Sequence, residues 1–347
     1  MTAEIVGQPE PIAVPTDCWY ALGPAAQVGR SLAALRLAGR PLVAFRTTQG
    51  AAVVLEDRCA HRPYPLSAGT LDGDTVRCGL CGFVYDATGQ CISVPTQPRV
   101  PFGAYVRAYP TSESDGIVWV WLGEPGRATL HRVPELGWLG DPAWVSVSGT
   151  TAVAANFLLL HENFADVTQV PFVAPEISPQ VLAAPPPPLD VIVSETSVAL
   201  HRHFDPAPLP AWQAVMAGVS ADAPYATFQE AYLTTPAVWV DHWDAQAADG
   251  SWLRLRFTQL VTPIDNRSSR LTWAVSRDFA LADAGATAQL QAMFTDYYSR
   301  VIATIETQQA LIDYDGAGRE VNVSSDVAAL KVREIVLKLL IEEGLSL

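Results

Sequence analysis

From Trp19 to about Gly126 the apolar residues fall in short runs, Pro41 to Thr47, Ala51 to Glu56 and Gly116 to Leu122, separated by Gly-Asp and Thr-Gly turn signals. Runs of this length, punctuated in this way, predict an all-β module. A stretch carrying Pro134, Gly137, Gly140 and Pro142 interrupts the pattern and places a domain boundary near residue 145. The expected domains are 1–145 and 146–347.

Past that boundary Trp144 to Val153 reads as a strand and Ala154 to about Val167 as a helix, while the prolines Pro185 to Pro188 exclude regular structure from Ala183 to Leu189. Strands are predicted at Val191 to His203, Ala226 to Leu233, Ala237 to Trp243, Trp252 to Val261 and Leu271 to Arg277, several of them with period-two alternation. Two helices close the chain. Ala286 to Leu311 carries Leu290, Met293, Phe294, Tyr297, Val301 and Ile305 at helical spacing, and Ser325 is the expected cap of a helix bearing Val327, Leu330, Val332, Ile335, Leu339 and Leu340. Strands followed by long helices imply an α+β architecture, with the helices on one face of an antiparallel sheet.

Composition narrows the classes. A chain of 347 residues, 49% hydrophobic and 17% charged, suits two globular domains. Its net charge of -14 disfavours nucleic acid and anionic membrane surfaces as partners. The N-terminal MTAEIVGQPEPIAVPTDCWY has neither a basic nor an apolar leader region, and the longest apolar candidate, Ala152 to Leu160, is far short of the roughly 18 residues of a membrane span. Five cysteines, three of them in ligand-like spacing beside a histidine, point to metal binding in a reducing compartment, so the expected location is cytoplasmic.

Those ligand-type residues are Cys59-x-His61 and, after sixteen intervening residues, Cys78-x-x-Cys81. Each pair occupies a tight loop, where Gly79 and Gly82 free backbone amides to approach inorganic sulfide. Three thiols and an imidazole also make a structural zinc set, and idle thiols are the remaining alternative. Cys18 and Cys91 lie outside the loops and read as packing residues.

The stretch FRTTQGAAVVLEDRCAHRPYPLSAGTLDGDTVRCGLCGFVYDATGQCISVP, with WYALGP before it and DGIVWVWLGEP after it, resembles the Rieske domain of ring-hydroxylating and O-demethylating oxygenases, the vanillate O-demethylase type included. The resemblance implies an N-terminal all-β Rieske domain and a helix-grip, START-like sheet domain with long helices. It also implies a [2Fe-2S] cluster, with Cys59 and Cys78 on the inner iron and His61 with Cys81 on the outer one. In a Rieske centre the last of these positions is a second histidine. A thiolate there adds negative charge and favours the oxidised cluster. The expected potential lies between the roughly -150 to +300 mV of Rieske centres and the roughly -400 mV of all-thiolate clusters.

The same resemblance implies a mononuclear iron held by two His and one carboxylate in the second domain. The family's pattern is Asn-x-x-Asp-x-x-His-x-x-x-x-His, and this chain reads Asn163, Asp166, Gln169 and Ala174 at the four named positions. The third ligand position, placed before Glu306-Thr-Gln308-Gln309 on the long helix, falls on Val301, with Arg300 and Ile302 beside it. A neutral amide and two aliphatic side chains cannot replace the lost donors, so mononuclear iron is expected to be absent. His161, Glu162, His201, His203, Asp241 and His242 are the candidates for a relocated site, against the reading of each as an ordinary hydrogen-bonded residue. Asp313 and Asp315 read as solvated charges at a helix end.

In the family the aspartate matched by Asp166 bridges to the second cluster histidine of the neighbouring subunit in a head-to-tail trimer. Cys81 cannot make that bridge, although Asp166 could accept one from an intact subunit; its local alternative is a helix-end hydrogen bond. The leading expectation is a non-catalytic or accessory iron-sulfur subunit. It would assemble with a catalytic Rieske oxygenase paralogue in a homo- or hetero-oligomeric ring of three or six chains, served by a reductase or ferredoxin. One alternative is an enzyme of altered function that uses the apolar pocket or a relocated metal. The other is a binding protein with a structural zinc knuckle, its pocket lined by Trp239, Trp243, Trp252 and Trp273.

Overall fold

The structure, a computed structural model, describes residues 12–345 apart from 317 and 319. Residues 1–11, part of the N-terminal stretch read as having neither a basic nor an apolar leader region, lie outside the described residues. The N-terminal half is built from three small antiparallel sheets. One pairs Trp19–Pro24, Ile117–Trp121 and Thr111–Ser114; a second pairs Ala33–Leu37, Arg40–Arg46, Ala52–Glu56 and Ala108–Tyr109. The third, Thr70–Asp72, Thr75–Arg77, Val84–Tyr85 and Cys91–Ser93, carries the second cysteine loop between its middle strands. Val43, Phe45, Leu55, Leu66, Val76 and Tyr85 form a small core of their own, and Cys59 and Cys78 belong to it.

The C-terminal half is a seven-stranded antiparallel sheet. Its order is Val145–Val153, Ser268–Arg277, Trp252–Asp265, Val238–Gln246, Pro224–Thr235, Val198–Pro208, Asp190–Val193. Val191 to His203, expected as one strand, is a hairpin. Ser194 Oγ accepts from Ser197 N at 3.1 Å and Ser194 N donates to Ser197 O at 2.9 Å, so a polar Ser-Glu-Thr-Ser segment closes a turn that period-two alternation cannot register.

Five helices pack against this sheet among the described residues: α1 Phe157–Ala165, α2 Val170–Val173, α3 Ala211–Ala217, α4 Ala284–Asp315 and α5 Val327–Glu342. α1 starts three residues later than its expected Ala154, because the Asn156 side chain accepts from Leu158 N at 2.9 Å and caps it there. Asp283 caps α4 in the same way, through Ala286 N at 2.9 Å. Ser325 is not a cap: it lies inside a 3-10 turn, Ser324–Asp326, where the Asp326 carboxylate accepts from Val323 N at 2.7 Å. α3 escaped the sequence reading. It starts directly after Pro210 and ends at Gly218, whose φ of +68° suits glycine.

The buried stripe of α4, Leu290, Phe294, Tyr298, Val301, Ile302 and Ile305, packs on the helix-facing side of the sheet. The N-terminal half is fastened to the strand Trp252–Asp265 and its neighbour. Ala38 N and Gly39 N donate to Pro263 O and Ile264 O, and Thr262 Oγ1 and Arg270 Nη2 donate to Ala21 O and Leu22 O. Among the described residues no helix is long and apolar enough to cross a membrane.

Candidate metal centre and interior chamber

The two cysteine loops meet. The Sγ atoms of Cys59, Cys78 and Cys81 all lie within 4.8 Å of one another, and Cys59 and Cys81 are 3.5 Å apart. Backbone bonds set the loops: Cys59 N donates to Tyr64 O at 2.9 Å and Cys78 N to Phe83 O at 2.8 Å. Gly82 turns with φ +75°, and Gly79 lies so close to the neighbouring loop that a Cβ would stand 2.8 Å from Ala68 O. His61, on the first loop and exposed, stacks on Phe83 with ring centroids 4.9 Å apart. The donor set fits an iron-sulfur group: three soft sulfurs converge, with the His61 imidazole on the same loop as Cys59.

Tyr85 connects this group to the fold. Its hydroxyl accepts from Ala60 N at 3.0 Å, leaving its proton for Cys59 Sγ at 3.2 Å. Burial raises the Cys59 thiol, but hydrogen bonds from Tyr85 and from the amides of His61 and Arg62 outweigh it and bring its pKa below the ordinary value. Cys81 goes the other way, pushed up to about 12 by burial and by the neighbouring sulfurs, which overcome a hydrogen bond from the Phe83 amide. Beneath the loops Asp57 accepts from Ser67 N and Oγ, both at 2.6 Å.

Around the loops the surface is apolar and basic. Leu80, between the last two cysteines, is 58% exposed, and Phe102 and Tyr105 across the adjoining cleft are fully exposed and 59% exposed. Arg58 and Arg62 line the same cleft.

In the C-terminal half, α1, α2 and α4 still converge on the positions matched to iron ligands. Ala174 and Val301 are fully buried and offer no donor atom. Arg300, one residue from Val301, donates to Val173 O at 2.9 Å and pairs with Glu176, so a guanidinium stands beside the end of α2. Gln169 lines a chamber with Asn163, Trp212, Asp241, Gln259 and Tyr297. The chamber is narrow, about 90 Å³, within about 720 Å³ of unfilled space that includes its mouth.

Asp241 is the charged group of the chamber. It accepts from Gln229 Nε2 at 3.1 Å and from Trp239 Nε1 at 3.0 Å, and Arg202 reaches it only through Gln229, at 3.3 Å. Burial pushes its pKa up to about 6, against the pull of Gln229, Trp239 and Arg202. Two buried amide oxygens in the lining, Gln169 Oε1 and Gln259 Oε1, have no hydrogen-bond partner.

Asp166 accepts from Thr168 N and Oγ1, both at 2.9 Å, as a helix-end aspartate. It borders a groove spanned by Arg333, which pairs with Glu162 and Glu320. The relocation candidates do not gather: among the described residues the three thiols are the only such convergent group. His161 Nε2 meets Pro236 O at 2.9 Å, His201 pairs with Glu230, His203 stacks on Phe228, and His242 Nε2 meets the Tyr232 hydroxyl at 2.6 Å. Asp313 accepts from Gln309 Nε2 and pairs with Arg267. Of the four tryptophans proposed as pocket lining only Trp243 lines the chamber; Trp212, on the unforeseen α3, is the other. Gln259 was missed as well, since a glutamine on a strand carries no signal of its orphaned oxygen.

Residues 18–110 match the Rieske [2Fe-2S] domain, and residues 153–342, more than half of the chain, match the vanillate O-demethylase oxygenase C-terminal domain. The chain is 38% identical over 159 residues to a putative toluene-4-sulfonate monooxygenase system iron-sulfur subunit of Comamonas testosteroni, spanning 46% of itself and about half, 46%, of that relative. It is 28% identical to a vanillate O-demethylase oxygenase subunit of a Pseudomonas species, over 77% of this chain and 84% of the relative. Its fold is that of dicamba monooxygenase solved with 3,6-dichlorosalicylic acid, with a TM-score of 0.83 at 23% identity over 95% of this chain and 98% of the other.

Proposed function

The chain belongs to the Rieske oxygenases of the vanillate O-demethylase type, and from that premise we propose that it carries a Cys3His [2Fe-2S] cluster and no mononuclear iron. It works as an accessory component beside a catalytic oxygenase paralogue. One observation carries this reading: the three positions matched to iron ligands hold Gln169, Ala174 and Val301, the last two sealed in apolar core, with the Arg300 guanidinium alongside. A divalent ion there would find no imidazole and no carboxylate among those three side chains. The relatives' names, vanillate and toluene-4-sulfonate among them, suggest small aromatic substrates for the system as a whole.

Cys59 and Cys78 would hold the inner iron, and His61 with Cys81 the outer. When bound, the cluster supplies transfer of single electrons. The chain's own part is to anchor it through the Tyr85 proton on Cys59 Sγ and to present a docking rim of Leu80, Phe102, Tyr105, Arg58 and Arg62. That rim, apolar and basic, suits an acidic reductase or ferredoxin. In a ring of three or six chains, Asp166 would accept the bridge from an intact neighbour's cluster histidine, since its oxygens each retain a lone pair beyond the Thr168 bonds. We place the division between the two domains at residue 145, in the interval between the matched segments 18–110 and 153–342.

Metal analysis with electron paramagnetic resonance on protein purified without oxygen tests the proposal. Two irons and two sulfides per chain, without a two-histidine Rieske spectrum, are expected, together with co-purification with an intact oxygenase subunit. A third iron, or turnover of an aromatic substrate by this chain alone, overturns it, and zinc in place of iron makes the loops a structural knuckle.

A further inference from the structure

We infer that the chamber between α1, α4 and the sheet binds a small aromatic amine, held by Asp241 and by the free carbonyl oxygens of Gln169 and Gln259, and rejects aromatic acids. The inference rests on the absence of mononuclear iron proposed above, because a metal beside Gln169 would reverse the local charge.

The chamber presents a carboxylate and two amide groups that are short of partners, with the Tyr297 hydroxyl beside Gln169. Gln259 is 5% exposed; its amide meets the Tyr298 hydroxyl at 3.0 Å through Nε2, and its Oε1 has no partner. Gln169 repeats the arrangement from the helix side: Nε2 reaches Asn163 Oδ1 at 3.4 Å, and Oε1 is unpartnered. A buried acceptor left unsatisfied costs about 1–3 kcal/mol, so a ligand that donates to both is favoured by relieving that cost. Asp241 supplies the third acceptor and the charge. In the sheet register it pairs with Phe257, which puts Gln259 on the same helix-facing side at a diagonal position. Diagonal neighbours stand roughly 7–8 Å apart, a span that a glutamine side chain can close toward a shared ligand.

The rest of the lining sets the ligand class. Trp212, Trp243, Phe257, Phe294 and Tyr297 face the space, while among the described residues no Lys, Arg or His lines it. Aromatic faces beside a buried carboxylate suit an ammonium carried on a ring, through cation–π contact and a charge-assisted hydrogen bond. A carboxylate or sulfonate would be buried against Asp241 and two carbonyl oxygens with no cation in contact, and like charge in a desolvated site is strongly unfavourable. The narrow cavity suits a single ring.

Calorimetric titration of the cluster-loaded full chain at pH 7.5 with benzylamine, benzyl alcohol and benzoate tests this, with metal content measured on the same sample. Saturable binding of benzylamine is expected, with benzoate at least tenfold weaker and benzyl alcohol between them. Asp241→Asn should bring benzylamine down to the level of benzyl alcohol, and Gln259→Leu should weaken benzylamine severalfold. Benzoate binding as well as benzylamine, or no saturable heat with benzylamine, overturns the inference; the ranking on the unsubstituted chain decides even if Asp241→Asn does not fold. A third iron in the same sample would overturn the metal reading and this inference with it, whereas two irons with a failed ligand ranking would overturn the inference alone.

Discussion

Replacing Asp241 by Asn should change how stability depends on pH. The carboxyl is fully enclosed and its pKa is raised from 3.8 to about 6, chiefly by burial, with Gln229, Trp239 and Arg202 opposing and the nearby Tyr297 and Tyr298 hydroxyls remaining neutral in this range. A carboxyl whose folded pKa exceeds its unfolded value contributes stability that is complete below the unfolded pKa and is lost as pH rises through the folded one. Here the window runs from about pH 4 to about pH 7. At 1.36 kcal/mol per pKa unit the loss amounts to about 3 kcal/mol, a sizeable part of the roughly 5–15 kcal/mol that holds a domain together. Asp241→Asn removes the titration. It also adds a constant offset, because Asn has one acceptor where Gln229 Nε2 and Trp239 Nε1 require two. Urea unfolding of both proteins between pH 4.5 and 8 without oxygen separates the two effects: the offset is flat, and the difference between the curves should shift by about 2–3 kcal/mol in favour of the variant as pH rises. A difference that stays level across the range, or slopes the other way, would refute the reasoning.

Three further outcomes are expected. Cys81→His restores the second imidazole, and the reduction potential should rise into the roughly -150 to +300 mV Rieske range with two irons per chain retained, read by redox titration with paramagnetic resonance. Tyr85→Phe deletes the proton donated to Cys59 Sγ; losing a hydrogen bond worth about 1–1.5 kcal/mol should lower the potential by about 40–60 mV without changing iron content. Arg277→Met leaves Phe279 O, Asp283 O and Thr287 Oγ1 without their fully buried donor at the start of α4, and urea unfolding should register about 3 kcal/mol of destabilisation; a loss under 1 kcal/mol would mean that water takes the guanidinium's place.

Much of the fold was readable because it depends on local periodicity. The stripe Leu290, Phe294, Val301, Ile305 specifies α4, and every expected strand of the large sheet except Val191 to His203 recurs within a few residues of its expected limits. What failed was also local but small: a Ser-rich turn inside Val191 to His203, an asparagine cap that delays α1, and a helix of seven residues after Pro210. Short polar hydrogen bonds decide such features, and hydrophobic spacing does not register them.

The sequence by itself determined the family, and from residue type at a spacing it proposed Cys59, His61, Cys78 and Cys81 as a ligand set and Gln169, Ala174 and Val301 as lost iron positions. Only the tertiary structure decided that Asp241, Gln169 and Gln259 share one chamber, that two of their oxygens lack partners, and that no cation stands among them. Those residues come from one helix turn and two strands separated by up to ninety positions in the chain. Their meaning lies in desolvation and in unmet hydrogen bonds, quantities that exist only once packing has removed water from all three together.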